Sequence, residues 1–244
     1  MQKFDTESQR TVVGLIPARY QSTRFPGKPL AKIDGVPMIK RVYEQCKKSK
    51  YLSHSFVVTD DERIMRYCMD EDINCSMVPD KTRTGTDRIG LSFRRNFSGP
   101  QQPDFFVNIQ GDEPVINPKS IDMLIDAYDN RYGVVNAYTK IRDEKELTDI
   151  NVVKALVGRD NLARHYSRHP ISDYKQLGLY MFSRGMLECF LNLKPSKYEI
   201  RENVEMIRYL DNGFKIKCVE VYDSISVDTP EDIKIAEEFL RNDS

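Results

Sequence analysis

Apolar and polar positions alternate along the first half of the chain in a strand–helix rhythm. Val12 to Ile16 is a continuous apolar run of strand length. Met38 to Ser49 follows at helical spacing, with Met38, Ile39, Val42, Tyr43 and Cys46 on one face. Ser55 to Thr59 reads as a second buried strand. Thr59 and Glu62 stand at capping-box spacing, which predicts a helix with Ile64, Met65, Cys68 and Met69 turned inward. A short strand near Asn74 to Val78, a loop from Pro79 to Thr86 and a helix carrying Ile89, Phe93 and Phe97 come next. A turn from Ser98 to Pro103 leads into a buried strand, Phe105 to Gln110, which stops at Gly111-Asp112-Glu113-Pro114. A helix over Pro118 to Asp129 then buries Ile121, Leu124, Ile125 and Tyr128. Near-continuous apolar strands alternating with helices predict an α/β fold with a mostly parallel sheet covered on both faces.

The second half is less regular. Val134 to Lys140, Val152 to Val157 and Leu177 to Phe182 read as strands, with a short charged helix from Asp143 to Leu147. Helices are expected over Arg184 to Asn192 and Glu199 to Asn212, and a strand with one wet face over Lys215 to Val221. Thr229 followed by Pro230 predicts the start of a last helix reaching Arg241. The expected organisation is a frayed tail over 1–10 and one domain over 11–244, with a small lobe within about 134–197 over one edge of the sheet.

Composition narrows the classes. The chain has 244 residues, 40% hydrophobic and 30% charged, enough to bury a real core. Lys+Arg and Asp+Glu are 37 each, so no global field points to nucleic acid or an anionic membrane as partner. No apolar run reaches membrane-spanning length, and the tail MQKFDTESQR lacks a secretory core. The five cysteines form no Cys-x-x-Cys pair, and the spacing of His165 and His169 is followed by Pro170, which argues against a helix holding both. Neither a zinc site nor a disulfide framework is expected, which fits a reduced, cytoplasmic protein.

The chemistry concentrates at strand ends. After the first strand, Pro17 to Leu30 (PARYQSTRFPGKPL) carries Arg19, Arg24 and Lys28, the hydroxyls of Ser22 and Thr23, one glycine and three prolines. Such a loop is shaped, not floppy, and its place at a strand's C-terminal end is where open α/β sheets hold phosphate. A solvated basic loop would look the same by spacing alone. There is no G-x-G-x-x-G, Gly27-Lys28 is followed by Pro29 where a Walker A loop needs a hydroxyl, and no G-x-S-x-G elbow occurs. Asp112 and Asp228 both lie at element ends, and one or two carboxylates completed by phosphate and water is what magnesium takes. A cationic loop with two such aspartates is equipment for transfer at phosphorus. The loop Lys81 to Arg88, leading into a helix, adds hydroxyls and N–H groups suited to a base edge or a phosphate, and a plain N-cap at Thr84 or Thr86 would use the same residues.

IPARYQSTRFPGKPL, VVTDDERI, TGTDRI, VNIQGDEP, YSRHPI, LGLYMF, PSKYEIRENVEMIRYLDNG and VDTPEDI stand in this order from Val12 to Leu240. Together they resemble the cytidylyltransferases that activate sugar acids, most closely the CMP-3-deoxy-manno-octulosonate (CMP-Kdo) synthetases. The resemblance implies a mixed α/β fold of the nucleotide-diphospho-sugar transferase type, a cytoplasmic homodimer, Mg2+ as cofactor, and a place in lipopolysaccharide biosynthesis. It implies CTP and an acid sugar as substrates, with Kdo first and 8-amino-Kdo or a nonulosonate as the alternative. By motif match, Arg19, Ser22, Arg24 and Lys28 hold the triphosphate; Thr84, Gly85, Thr86 and Gln110 surround the nucleotide. Asp112 and Asp228 carry magnesium, so that Lys28, Arg19, Asp112 and Asp228 form the catalytic set. Arg168 grips the sugar carboxylate, with Gln176, Tyr180, Glu202 and Glu205 on the sugar side. Departures from the family pattern cluster there: Gln176 stands for a histidine, Met206 for a glutamine, and the segment between Ile171 and Gln176 is shorter. A reading of another class is a nucleotide-binding regulatory protein without turnover.

Overall fold

The structure is a computed structural model that describes residues 10–22, 24–79, 81–97 and 102–242. The expected frayed tail, the hydroxyl of Thr23 and most of the Ser98–Pro103 turn lie outside the described residues.

In chain order the first elements are β1 (Val12–Ala18), a 3-10 turn (Lys28–Leu30), β2 (Lys32–Ile33), β3 (Val36–Pro37), α1 (Met38–Lys47), β4 (Leu52–Thr59), α2 (Glu62–Asp70), β5 (Cys75–Met77) and α3 (Gly85–Asn96). Then come β6 (Phe105–Ile109), α4 (Pro118–Asp126), β7 (Val134–Lys140), α5 (Lys145–Thr148), β8 (Lys154–Val157), β9 (Ala163–Ser167) and β10 (Tyr174–Ser183). The chain closes with α6 (Arg184–Asn192), α7 (Lys197–Glu202), α8 (Ile207–Asp211), β11 (Lys217–Glu220) and α9 (Asp232–Asn242).

The main sheet runs β11-β7-β10-β6-β1-β4-β5, with β8 paired to β10 and β9 to β8. β1 pairs parallel with β4 and β6, and β11 parallel with β7, whereas β10 is antiparallel to both β6 and β7. On that path β10 alone runs against the rest. The consequence is functional: the C-terminal ends of β1 and β6 open onto the same rim as the N-terminal half of β10. Of the section expected to form a lobe, β7 and β10 belong to the main sheet, and β8 and β9 branch from β10.

Two apolar clusters sandwich the sheet. One joins Ile16, Val57 and Val107 to α1, α2 and α4 through Val42, Cys68 and Leu124; the other joins Leu15, Val58 and Phe106 to α3 and α6 through Ile89 and Phe190. A third, smaller cluster packs Phe25 of the cationic loop against Ile33, Met38, Val227 and Ala236 of α9. That packing anchors the loop to the chain's last helix.

Four expectations are corrected. Helix α2 is capped by Asp61, whose carboxylate accepts from Arg63 N at 2.9 Å, and Thr59 instead accepts from Asp61 N; Asp61 directly precedes the first helical residue, whereas Thr59 stands two residues further back. Met69 is 70% exposed, because it follows the helix's buried stripe of Ile64 and Cys68 by one residue. The single helix expected over Glu199 to Asn212 is two, α7 and α8, broken at Asn203 in the left-handed region (φ 53°, ψ 48°). α9 begins at Asp232, after a turn in which its carboxylate accepts from the N–H groups of Asp228 and Thr229 at 2.8 Å. β9, holding His165, had no expectation at all, since its polar and apolar residues do not alternate cleanly.

Candidate active site

The loop after β1 is built by its own sequence. Gly27 takes φ 73°, which its lack of a Cβ permits, and donates its N–H to Tyr20 O at 2.8 Å, closing the loop. The 3-10 turn starts at Lys28, and Pro29 at its second position favours the tight first turn. At the end of β6, Asp112 O accepts from Val227 N at 2.8 Å, which brings the Ser226–Asp228 segment against the Gly111–Glu113 turn. Lys28 Nζ therefore lies between two carboxylates, 2.8 Å from Asp112 Oδ2 and 3.2 Å from Asp228 Oδ1. Burial acts to lower the lysine's pKa, and the two carboxylates outweigh it, so the value is raised. Arg24 reaches the same Asp228 oxygen at 3.1 Å and Asn151 Oδ1 at 2.7 Å.

These groups line a cavity of about 560 Å3. Arg19, Ser22, Arg24, Lys28, Thr84, Gly85, Gln110, Asp112, Arg168, Gln176, Tyr180, Glu205 and Asp228 all face it. Thr86 and Glu202 do not. Thr86 is fully buried, with its hydroxyl bonded to Glu205, and Glu202 sits behind Arg168, accepting from Arg168 N at 3.0 Å. Met206 is also fully buried, within the apolar cluster that holds Val204 and Ile207, so a cavity ligand does not meet it.

The N-terminus of α3 forms one wall. Thr84 caps it through a capping box with Asp87. The Glu205 carboxylate accepts from Gly85 N at 2.8 Å and Thr86 N at 3.1 Å, as well as from the Thr86 hydroxyl. Burial raises its pKa. Glu205 thus holds the Thr84–Thr86 loop from within. Opposite, Arg168 spends Nε on Glu202 O at 2.6 Å and Nη1 on Ile150 O and Asn151 O at 2.7 and 3.2 Å. Nη2 touches Asn203 O at 3.4 Å, which leaves one Nη2 hydrogen and the charge for a ligand.

Gly178, within β10, lets the turn after β6 pack directly against that strand. Its carbonyl accepts from Gln110 N at 3.1 Å and its N–H donates to Glu113 Oε1 at 2.9 Å. A Cβ there would come within 2.3 Å of Gln110 Cγ.

The profile of the family described as Cytidylyltransferase matches residues 13–237. The chain belongs to the cytidylyltransferase family. A 3-deoxy-manno-octulosonate cytidylyltransferase of Thermodesulfovibrio yellowstonii is 37% identical, over 93% of this chain and 96% of that protein. An 8-amino-3,8-dideoxy-manno-octulosonate cytidylyltransferase of Shewanella halifaxensis is 40% identical, over 94% of this chain and 98% of that protein. A solved structure of CMP:2-keto-3-deoxy-manno-octonic acid synthetase complexed with CTP superposes with a TM-score of 0.87 at 29% identity, covering 96% of this chain and 100% of that one. The fold is shared more widely: an inositol-1-phosphate CTP transferase from T. maritima gives a TM-score of 0.71 at 15% identity over 94% of both chains.

In this cytidylyltransferase Glu113, Arg88 and Asn151 line the cavity without a role assigned from the sequence, Glu113 and Arg88 although they lie within VNIQGDEP and TGTDRI, and Asn151 outside any motif. Glu113 is buried, and burial with the neighbouring Asp112 charge pushes it up to about 7. Asn151 takes Arg24 on its side chain and Arg168 on its carbonyl. Arg88, also lining the cavity, is held by Asp60 at 2.7 Å. Behind the cavity wall, Asn136 inside the apolar run of β7 was visible as polarity out of place. No helix among the described residues is long and apolar enough to cross a membrane.

Proposed function

We propose that the chain transfers CMP from CTP to the anomeric hydroxyl of an acid sugar, with 3-deoxy-manno-octulosonate as first substrate and its 8-amino analogue as second. The supporting observation is the placement of Lys28 between Asp112 and Asp228 in one cavity whose far wall carries Arg168. The two relatives' names favour both sugars about equally, at 37% and 40% identity.

The anomeric hydroxyl gives up its proton to solvent, its oxygen forms a bond to the α-phosphorus, and the α–β phosphoanhydride bond breaks so that pyrophosphate leaves with the electron pair. Positioning and charge neutralisation carry such transfers, since the phosphoryl group needs little covalent help. Arg19, Arg24 and Lys28, with Ser22, would lie along the triphosphate, and the growing charge on pyrophosphate would fall beside Lys28. Gln110 and the Thr84–Thr86 loop, braced by Glu205, would flank the nucleoside. Arg168 would offer its remaining N–H and charge to the sugar carboxylate.

The donor set suits Mg2+. Asp112 and Asp228 converge on one point, which the Lys28 ammonium already marks as a place for positive charge. Among the described residues no group of three or more acidic, cysteine or histidine side chains could hold a metal. Magnesium is commonly held by only one or two protein carboxylates, with phosphate oxygens and water completing its shell. When bound it would supply charge neutralisation at the phosphate oxygens. The same reading carries a cytoplasmic homodimer, supported by the resemblance in sequence.

The test is pyrophosphate release from CTP with each acid sugar in the presence of Mg2+. Turnover with neither sugar, despite CTP binding, would leave the non-catalytic nucleotide-binding reading. Asp112→Ala is expected to lower kcat by at least about a hundredfold, in the range seen when a transition-state charge partner is lost. Its thermal midpoint should stay near that of the parent, because Asp112 is partly exposed.

A further inference from the structure

β10 carries a bulge against β7: Gln176 pairs with Tyr138, and the register resumes at Tyr180 opposite Asn136. A bulge re-aims side chains and leaves backbone groups to be satisfied another way. Here Asn136, 1% exposed, does that work. Its Nδ2 faces three carbonyls, Ala137 O at 3.0 Å and Leu177 O and Leu179 O at 3.2 Å each.

Three carbonyls can be faced by a nitrogen and not by an oxygen, so the Asn136 amide has one orientation. Its Oδ1 must then accept, and it does so from Gln176 Nε2 at 2.8 Å. That bond fixes the second amide in turn. Gln176 lines the cavity, and its Oε1 has no protein donor among the described residues. The chain therefore presents to the sugar side of the cavity an acceptor whose identity is set two residues deep. A histidine at this position, as in the family pattern, would offer a donor or an acceptor according to its tautomer.

We propose that Gln176 is a specificity-determining residue whose carboxamide oxygen, aimed by the positioning residue Asn136, accepts a hydrogen bond from a hydroxyl or ammonium group of the acid sugar. The proposal rests on the cytidylyltransferase reading above and adds which atom of this chain reads the sugar and what chemistry it demands. A sugar without a donor at that point leaves the oxygen desolvated and unpaired, which costs more than the bond itself returns. A site built around a donor rejects the analogue lacking it.

The experiment measures pyrophosphate release by the full chain under saturating CTP. It compares 3-deoxy-manno-octulosonate, its 8-amino analogue and a set of singly deoxygenated analogues. Gln176→Met keeps the length of the side chain and removes the acceptor together with the Nε2 donor to Asn136 Oδ1. It is expected to raise KM for the acid sugar by about 10–100-fold, the loss of one buried acceptor, with KM for CTP within twofold. One deoxygenated analogue should be penalised by the parent and not by Gln176→Met, and it identifies the hydroxyl read. If the 8-amino sugar loses more than the parent sugar does, the donor is the ammonium, since charge-assisted bonds are stronger.

Asn136→Leu should raise the sugar KM without adding to the effect of Gln176→Met, because both act through one oxygen. A merely structural role for Asn136 would give additive losses. Should Asn136→Leu fail to fold, Gln176→Met alone decides. No pyrophosphate from the parent chain with any acid sugar defeats the reaction reading; a turning-over parent and a Gln176→Met variant with unchanged sugar KM values defeat this assignment.

Discussion

Cys46 and Cys218 each sit inside an apolar cluster, and burial pushes their thiols up to about 12 and about 11. In the unfolded chain both ionise near about 8.5. Below that pH both states keep the proton and stability is unaffected. Above it only the unfolded chain loses protons, so stability falls as pH rises toward the folded values. Each thiol contributes a slope of about 1.4 kcal/mol per pH unit in that window. Urea denaturation between pH 7.5 and 10 should therefore show a flatter decline for Cys46→Ala and Cys218→Ala than for the parent, and equal slopes would contradict burial of the thiols. Burial of Cys46 was legible in its helical spacing with Ile39, Val42 and Tyr43. The outward placement of Met69 was not, because a four-residue apolar stripe leaves its last member's side undetermined until a partner surface exists. Cations and acids in motifs were equally legible as cavity residues, whereas Thr86 and Glu202, which match the family pattern, and Met206, which departs from it, lie behind the cavity wall.

Helices α3, α7 and α8 are cross-linked by one side chain. Arg208 is 2% exposed and lies over the Phe190 ring at 3.8 Å. Its Nη1 reaches Asp87 Oδ1 at 2.9 Å, while Nε and Nη2 clasp Glu199 at 2.9 and 2.8 Å. Glu199 also meets Arg83, which lines the cavity. Removing one member of such a buried set leaves uncompensated charge, so Arg208→Met should destabilise by about 3–5 kcal/mol. Arg208→Lys keeps the charge without the planar fork and should fall between. Urea midpoints check both, and a neutral Arg208→Met would show that packing, not this clasp, joins the helices. The sequence pattern over Glu199 to Asn212 is periodic enough to read as one helix. What breaks it is tertiary: Asn203 adopts the left-handed conformation, and its carbonyl and that of Glu202 receive Arg168. Asparagine tolerates that conformation better than most residues, but tolerance does not announce use.

Lys28 lies 84 positions from Asp112 and 200 from Asp228, and no local pattern could place it between them. The three sites were each visible as a loop or turn at a strand end; their meeting required the sheet order, with β1 beside β6 and Asp112 O holding Val227 N. The antiparallel β10 completes the same rim from the other side with Gln176, Gly178 and Tyr180. A nucleotide in this cavity would touch the β1 loop, the β6 turn, the α3 N-terminus and the segment before α9 at once. Such a ligand stabilises the folded chain by mass action, by about 2.7 kcal/mol at a hundredfold excess over Kd. For a chain of this size that raises Tm by about 5–11 °C. On the proposed magnesium site, the full shift is expected with CTP and Mg2+ together and a smaller one with CTP and a chelator, since the carboxylates of Asp112 and Asp228 would then repel the phosphates uncompensated. Asp228→Asn removes one of those charges. It should weaken the dependence on Mg2+ and shrink the gap between the two conditions. Differential scanning calorimetry of parent and variant measures this, and an identical gap in both would remove Asp228 from the metal site.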